Sequence, residues 1–185
     1  MRNMIPITAS TASTQTILAF LCQNPQQSFY SGEIAEKASL SKGGTNQSLR
    51  ELARQGVLKT EKKGHMTFYS ADLSSPSVRQ FKILQNVAML ESIVNKLRPF
   101  ADRVVLFGSC AKGEDTQESD IDLLVVSRDK DHIRSLIPET KAKRKIQLLL
   151  KTPQEYVILN SKEKVFAEEI NKGLVLWEGH ETARV

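Results

Sequence analysis

Asp120 and Asp122 flank Ile121 at the head of the apolar run Ile121–Val126. Side chains alternate along a strand, so the two carboxylates project from the same face. Carboxylates in that arrangement repel one another and lose hydration, a cost that a hard cation removes. Magnesium held between carboxylates and substrate phosphates is a common support for phosphoryl and nucleotidyl transfer. A lone Asp-x-Asp is equally compatible with a turn cap followed by a solvated carboxylate. Upstream, Gly108-Ser109 closes the apolar run Val104–Phe107 and opens a short helix. Glycine there permits close backbone approach, and the helix amides and serine hydroxyl can hold phosphate oxygens.

These residues need a frame to hold them. Residues 104–126 read as strand, glycine turn, short helix and strand. Ahead of them, Val78–Leu97 carries Phe81, Ile83, Leu84, Val87, Leu90, Ile93, Val94 and Leu97 at spacings of three and four, the stripe of a long amphipathic helix followed by Pro99. Packing on the sheet is one use of that stripe, and a dimer interface is another. Leu73-Ser-Ser-Pro-Ser77 breaks the periodic pattern and predicts a domain boundary, giving units 1–75 and 76–185. In the first unit, Ser13–Cys22 predicts a helix halted at Asn24-Pro25. Ser31 is expected to cap a helix running to Ala38, and Ser41 a third helix that carries Leu49 and Leu52 and stops at Gly56. Val57–Thr60 and Met66–Ser70 predict two strands joined by the turn Glu61–His65.

That order of elements resembles a winged helix-turn-helix over most of residues 10–72. The resemblance implies nucleic-acid binding, DNA above all. Ser41, Lys42, Thr45, Asn46, Gln47 and Arg50 fall on or near the first turns of the recognition helix, where they would reach base edges and phosphates. Lys59, Lys62 and Lys63 in the wing would meet backbone phosphate. Packing against a partner domain, or dimerisation, is the plainer use of the same fold.

Gly108-Ser109, ten intervening residues and Asp120-Ile-Asp122 together resemble the signature of minimal nucleotidyltransferases of the DNA polymerase β superfamily. The likeness extends from about Phe100 to Glu178, with Ala111 and Gly113 inside the loop and Gly173-Leu-Val-Leu-Trp177 as a closing segment. It implies a short mixed sheet flanked by helices, so that the whole chain is of the α+β class. It also implies that Gly108 and Ser109 bind ATP or another nucleoside triphosphate, with Ser109 contacting the β- and γ-phosphates. Asp120 and Asp122 would be the catalytic carboxylates, ligating two magnesium ions that activate an acceptor hydroxyl. Small members of this family often adenylylate a partner toxin, which makes a protein acceptor one expectation.

The sequence departs from that family at one position. Active members usually add a third carboxylate from a later strand; here the matching strand is Lys145–Leu150, and the position holds Gln147. An amide offers a carbonyl oxygen but no charge, and it accepts no proton. Glu139 and Glu155, each several residues from that strand, are the candidates to stand in. Lys141, Lys143, Arg144 and Lys145 form a basic run that would attract triphosphate or remain a solvated face. Two functions follow: a nucleotidyltransferase coupled to DNA binding, or a DNA-binding transcriptional regulator whose transferase-fold domain is weakened or inactive.

The whole chain sets bounds on both. Its 185 residues with 40% hydrophobic content suit two small globular units, and no apolar run approaches the roughly 20 residues of a membrane span. The first residues show no secretion signal, so a cytoplasmic location is expected. Cys22 and Cys110 fall in different units, which argues against a disulfide framework, and His65, His132 and His180 show no ligand-like spacing. A net charge of +5 is compatible with nucleic acid or nucleotide phosphate.

Overall fold

The computed structural model describes residues 11–137 and 144–179. The chain divides into two compact units, Met1–Lys82 and Ile83–Val185.

The first unit runs α1 (Ala12–Gln23), β1 (Phe29–Tyr30), α2 (Ser31–Lys37), α3 (Lys42–Arg54), β2 (Leu58–Lys63) and β3 (Met66–Ala71). The strands form an antiparallel sheet in the order β1-β3-β2. Ser41 caps α3 as expected, its Oγ accepting the Gly44 N–H at 3.3 Å. Gly56, at φ +73°, turns the chain out of the helix and into β2. Ile17, Leu18 and Leu21 of α1, Ile34 of α2, and Leu49 and Leu52 of α3 are fully buried together, so the apolar stripes read from the sequence meet in one core. Three helices followed by a two-stranded hairpin make this unit a winged helix-turn-helix.

Local details differ from expectation in four places. Ser31 is the first helical residue of α2, not its cap. Tyr30 holds the cap position, and its N–H donates to the Glu33 carboxylate at 3.0 Å. The wing turn is shorter than Glu61–His65, because pairing continues to Lys63↔Met66 and leaves Gly64-His65 as a two-residue loop with Gly64 at φ +61°. Lys62 and Lys63 therefore lie on β2. Phe29-Tyr30 adds a strand that is too short to show periodicity. The division between units falls at Lys82, inside α4 (Pro76–Leu97), rather than at residue 75. Val78 and Phe81, in the first turns of that helix, belong to the first core.

The second unit takes the later turns of α4, then β4 (Arg103–Phe107), α5 (Gly108–Lys112), β5 (Ile121–Val126), α6 (Lys130–Leu136), β6 (Ile146–Lys151), α7 (Pro153–Lys162), α8 (Lys164–Asn171) and β7 (Leu174–Glu178). The sheet order is β6-β5-β4-β7, with β5 and β6 parallel and the other pairs antiparallel. Alternation along β4 and β5 sends Val104, Leu106, Leu123 and Val125 toward Leu90, Val94 and Leu97 of α4. It sends Val105, Phe107, Leu124 and Val126 toward Leu159 of α7 and Ala167 and Ile170 of α8. This is the α+β mixed sheet flanked by helices that was expected. Core packing accounts for the part of the α4 stripe that covers the sheet. Among the described residues, no helix is long and apolar enough to cross a membrane.

Candidate active site

β4 ends at Phe107, and the chain turns at Gly108 with φ +67°, a conformation that disfavours side chains. A Cβ on Gly108 would collide with Oδ2 of Asp122, so a carboxylate occupies the space a larger residue would need. Asp122 is the second residue of β5 and pairs with Phe107 on one side and Gln147 on the other. Partners in a parallel register present their side chains to the same face, which puts the Gln147 amide beside the Asp122 carboxylate. Asp120 is exposed two positions earlier, and Ser109 is partly exposed in the first turn of α5. Burial raises the Asp122 carboxyl above its ordinary range, and the charges of Asp120 and then Glu169 push it further in the same direction.

An open cleft of about 250 Å³ lies in front of these groups, lined by Phe107, Gly108, Asp122, Gln147, Phe166 and Glu169 among others. Two aspartates and an amide carbonyl are all hard oxygen donors, and that chemistry fits magnesium with substrate phosphates completing its shell. Among the described residues, no three His, Cys, Asp or Glu side chains are gathered as a ready metal cage.

A family profile described as "Polymerase beta, Nucleotidyltransferase" matches residues 90–182, half of the chain. The chain belongs to the polymerase β nucleotidyltransferase family. No curated protein matches it in sequence. Solved structures similar to it include the homodimeric winged helix-turn-helix DNA-binding domain of Mb0332 from Mycobacterium bovis. That match has 21% identity, covers 43% of this chain and 70% of that one, and has a TM-score of 0.36. MepR, a transcription regulator of the Staphylococcus aureus multidrug efflux pump MepA, matches at 18% identity over 47% of this chain and 65% of its own, with a TM-score of 0.40. A mutant of Lactococcus lactis ZitR, solved in complex with DNA, matches at 20% identity over 50% and 64%, with a TM-score of 0.37. The winged-helix assignment rests on the element order and register of the chain itself.

In this nucleotidyltransferase domain a buried polar network supports the loop that carries Asp120. Arg144 donates from Nε to the Ser119 carbonyl at 3.0 Å, from Nη1 to Asn86 Oδ1 at 3.2 Å, and from Nη2 to Cys110 Sγ at 2.8 Å. Its Nη1 also pairs with Asp115 at 3.0 Å. Asn86 Nδ2 donates to Asp115 at 3.0 Å and to the Cys110 carbonyl at 3.1 Å. Burial raises the Cys110 thiol, which donates to the Asp120 carbonyl at 3.4 Å. Arg144 is thus a bracing residue rather than part of a solvated basic run. Lys145 is exposed, and Lys141 and Lys143 lie outside the described residues.

Of the two candidates for the third carboxylate, Glu155 lies away from the cleft. Glu155 is the third residue of α7, where it accepts the Thr152 N–H at 2.7 Å and pairs with Lys130. The Lys130 and Thr152 contacts pull its carboxyl down to about 2. It does not line the cleft, and Glu139 lies outside the described residues. Glu169, which sequence reasoning passed over, does line it.

On α3, Lys42, Asn46, Gln47 and Arg50 are exposed along one side, and Ser41 is exposed with its hydroxyl engaged in the cap. Thr45 departs from the expected contact with bases. It is fully buried on the stripe with Ser48, Leu49 and Leu52, so it cannot reach a base edge, and its hydroxyl has no hydrogen-bond partner among the described residues. Helical phase, not closeness to the helix start, decides its direction. In the wing, Lys59 pairs with Asp72 at 3.3 Å, Lys63 pairs with Glu61 at 3.1 Å, and Lys62 is exposed.

Proposed function

We propose that the second unit is a magnesium-dependent nucleotidyltransferase, moving a nucleoside monophosphate from ATP or another nucleoside triphosphate to a hydroxyl acceptor, and that the first unit binds DNA. The observation that carries the transferase reading is the packing of the Asp122 carboxylate against the bare α-carbon of Gly108. It joins the phosphate-holding turn and the acidic strand into one site. The Ser109 hydroxyl and the amides of the Gly108-Ser109 turn hold phosphate oxygens, while Asp120 and Asp122 hold the metal. Bound magnesium would neutralise the charge that builds as pyrophosphate leaves. A hydroxyl on a small molecule or on a partner protein such as a toxin is the acceptor in this reading, and DNA would lie along Lys42, Asn46, Gln47 and Arg50 with Lys62 and Lys63 at the wing. The DNA-binding unit is read as acting in the cytoplasm and as a homodimer.

Gln147 beside Asp122 favours a second reading, in which the domain binds nucleotide without turnover and the chain is a DNA-binding regulator. Incubation with magnesium and each labelled nucleoside triphosphate, with and without cell lysate as acceptor source, separates the two. Label transfer and pyrophosphate release that vanish in Asp122→Ala support the enzyme. Binding without turnover across all acceptors overturns it in favour of the regulator.

A further inference from the structure

We propose that Glu169 is the general base of this site, taking from the α8 helix the role that Gln147 cannot perform on its strand; the inference rests on the transferase reading. The placement of Glu169 is over-determined by packing. Ala167 and Ile170 are buried against the sheet, and the rings of Phe166 and Phe107 meet edge-on at 6.1 Å between centroids. Glu169 follows Phe166 by three positions, the helical spacing that shares a face, and both line the cleft with Asp122 and Gln147. The end of α8 is pinned as well. A Cβ on Gly173 would stand 2.5 Å from the Leu106 carbonyl and 2.8 Å from that of Ile170, so the helix exit lies hard against β4, the strand that ends at Gly108.

The carboxylate is held but available. It pairs with Lys112 at 3.3 Å, and the Lys112 and Glu169 side chains are about half exposed at 48% and 46%. Exposed pairs of this kind contribute little to stability, so an incoming acceptor displaces the lysine readily. In the proposed step the acceptor O–H bond breaks and its proton passes to the Glu169 carboxylate. The acceptor oxygen forms a bond to the α-phosphorus, and the bond from that phosphorus to the bridging oxygen breaks as pyrophosphate leaves. No further reactant is needed.

The test compares the full chain with Glu169→Gln, Lys112→Met and the double variant Glu169→Gln/Gln147→Glu. Two properties are read in each: the rate of label transfer, and the affinity for manganese with a non-hydrolysable nucleoside triphosphate, followed by electron paramagnetic resonance. Glu169→Gln is expected to lose about a hundredfold or more in kcat, in line with general-base contributions, while manganese–nucleotide affinity stays within about threefold. Lys112→Met, which breaks the same ion pair but keeps the carboxylate, retains most of its rate. Gln147→Glu in the Glu169→Gln background recovers about tenfold or more by restoring a base on the adjacent strand. A Glu169→Gln variant that transfers at the parental rate overturns the proposal, as does equal loss in Lys112→Met or loss of manganese–nucleotide affinity in parallel with rate. If the parent binds manganese–nucleotide but transfers nothing, the transferase reading fails first and takes this assignment with it.

Discussion

Gly108 and Asp122 share a volume that admits only one side chain, and the consequences can be measured. Gly108→Ala drives a methyl group into a carboxylate oxygen and forces alanine to φ +67°. It is expected to destabilise the chain by about 1–3 kcal/mol in urea unfolding and to abolish metal-dependent nucleotide binding. Asp122 gives a pH signature. Its carboxyl titrates above the ordinary 3.8 in the folded chain, so the folded state holds that proton more tightly than the unfolded chain does. The associated stability is complete below the unfolded value and lost as pH rises through the folded one. Asp122→Asn should therefore unfold at a higher temperature than the parent in metal-free buffer at about pH 7, with the gap closing toward about pH 3. Both residues were legible because the Gly-Ser and Asp-x-Asp spacings are local patterns. Glu169 was not, since nothing in Ala-Glu-Glu-Ile marks which helical carboxylate faces a strand far away in sequence.

Elements hold these residues in place through contacts that composition conceals. Arg144 reaches Ser119, Asn86, Asp115 and Cys110, bracing α4, α5 and the loop before β5 against the start of β6. The Arg144 and Asp115 side chains are 17% and 7% exposed, so truncating Arg144 removes an ion pair from Asp115 away from solvent. Arg144→Ala is expected to cost roughly 3 kcal/mol by chemical unfolding, and Arg144→Lys should recover little, because one ammonium cannot reproduce a planar fork. In sequence this arginine sits among lysines and reads as part of a charge run. The main helices were legible from their period of 3.6 and the central strands from their short apolar runs, whereas their ends were decided by particular contacts. The Tyr30 N–H chooses the Glu33 carboxylate, and β2 keeps pairing through charged residues that look like a loop. Thr45 shows the same limit, since its side follows from the phase set by Leu49 and Leu52.

Across the whole molecule, two units with separate cores predict separable activities. Asp120→Ala/Asp122→Ala should abolish metal-dependent nucleotide binding and leave DNA affinity within about twofold in a titration with operator-length duplex. Lys42→Ala/Arg50→Ala should do the reverse and lower the slope of log affinity against log salt by up to about 2 if each side chain neutralises one phosphate. Parallel loss of both activities in either variant contradicts a division of labour between the units. The order of the units was legible from the switch between helical stripes and the Gly-Ser to Asp-x-Asp block. The boundary was not, because Ser-Ser-Pro-Ser punctuates the chain just before α4, while the first core recruits Val78 and Phe81 from inside that helix.

The register that sets Gln147 beside Asp122 also fixes how far this chain stands, in genetic terms, from a three-carboxylate site. Glutamine and glutamate codons differ only in their first base. A single point mutation would place a carboxylate on β6 in the same cleft as Asp122 and Glu169. With Asp120 close by, four acidic groups would then crowd one small space, and the Lys112 ammonium on Glu169 would offset only a part of that charge. Such a lineage would come under selection to discard the helical glutamate, so a carboxylate at position 147 and one at position 169 are expected to replace each other among descendants of this sequence rather than to accumulate together.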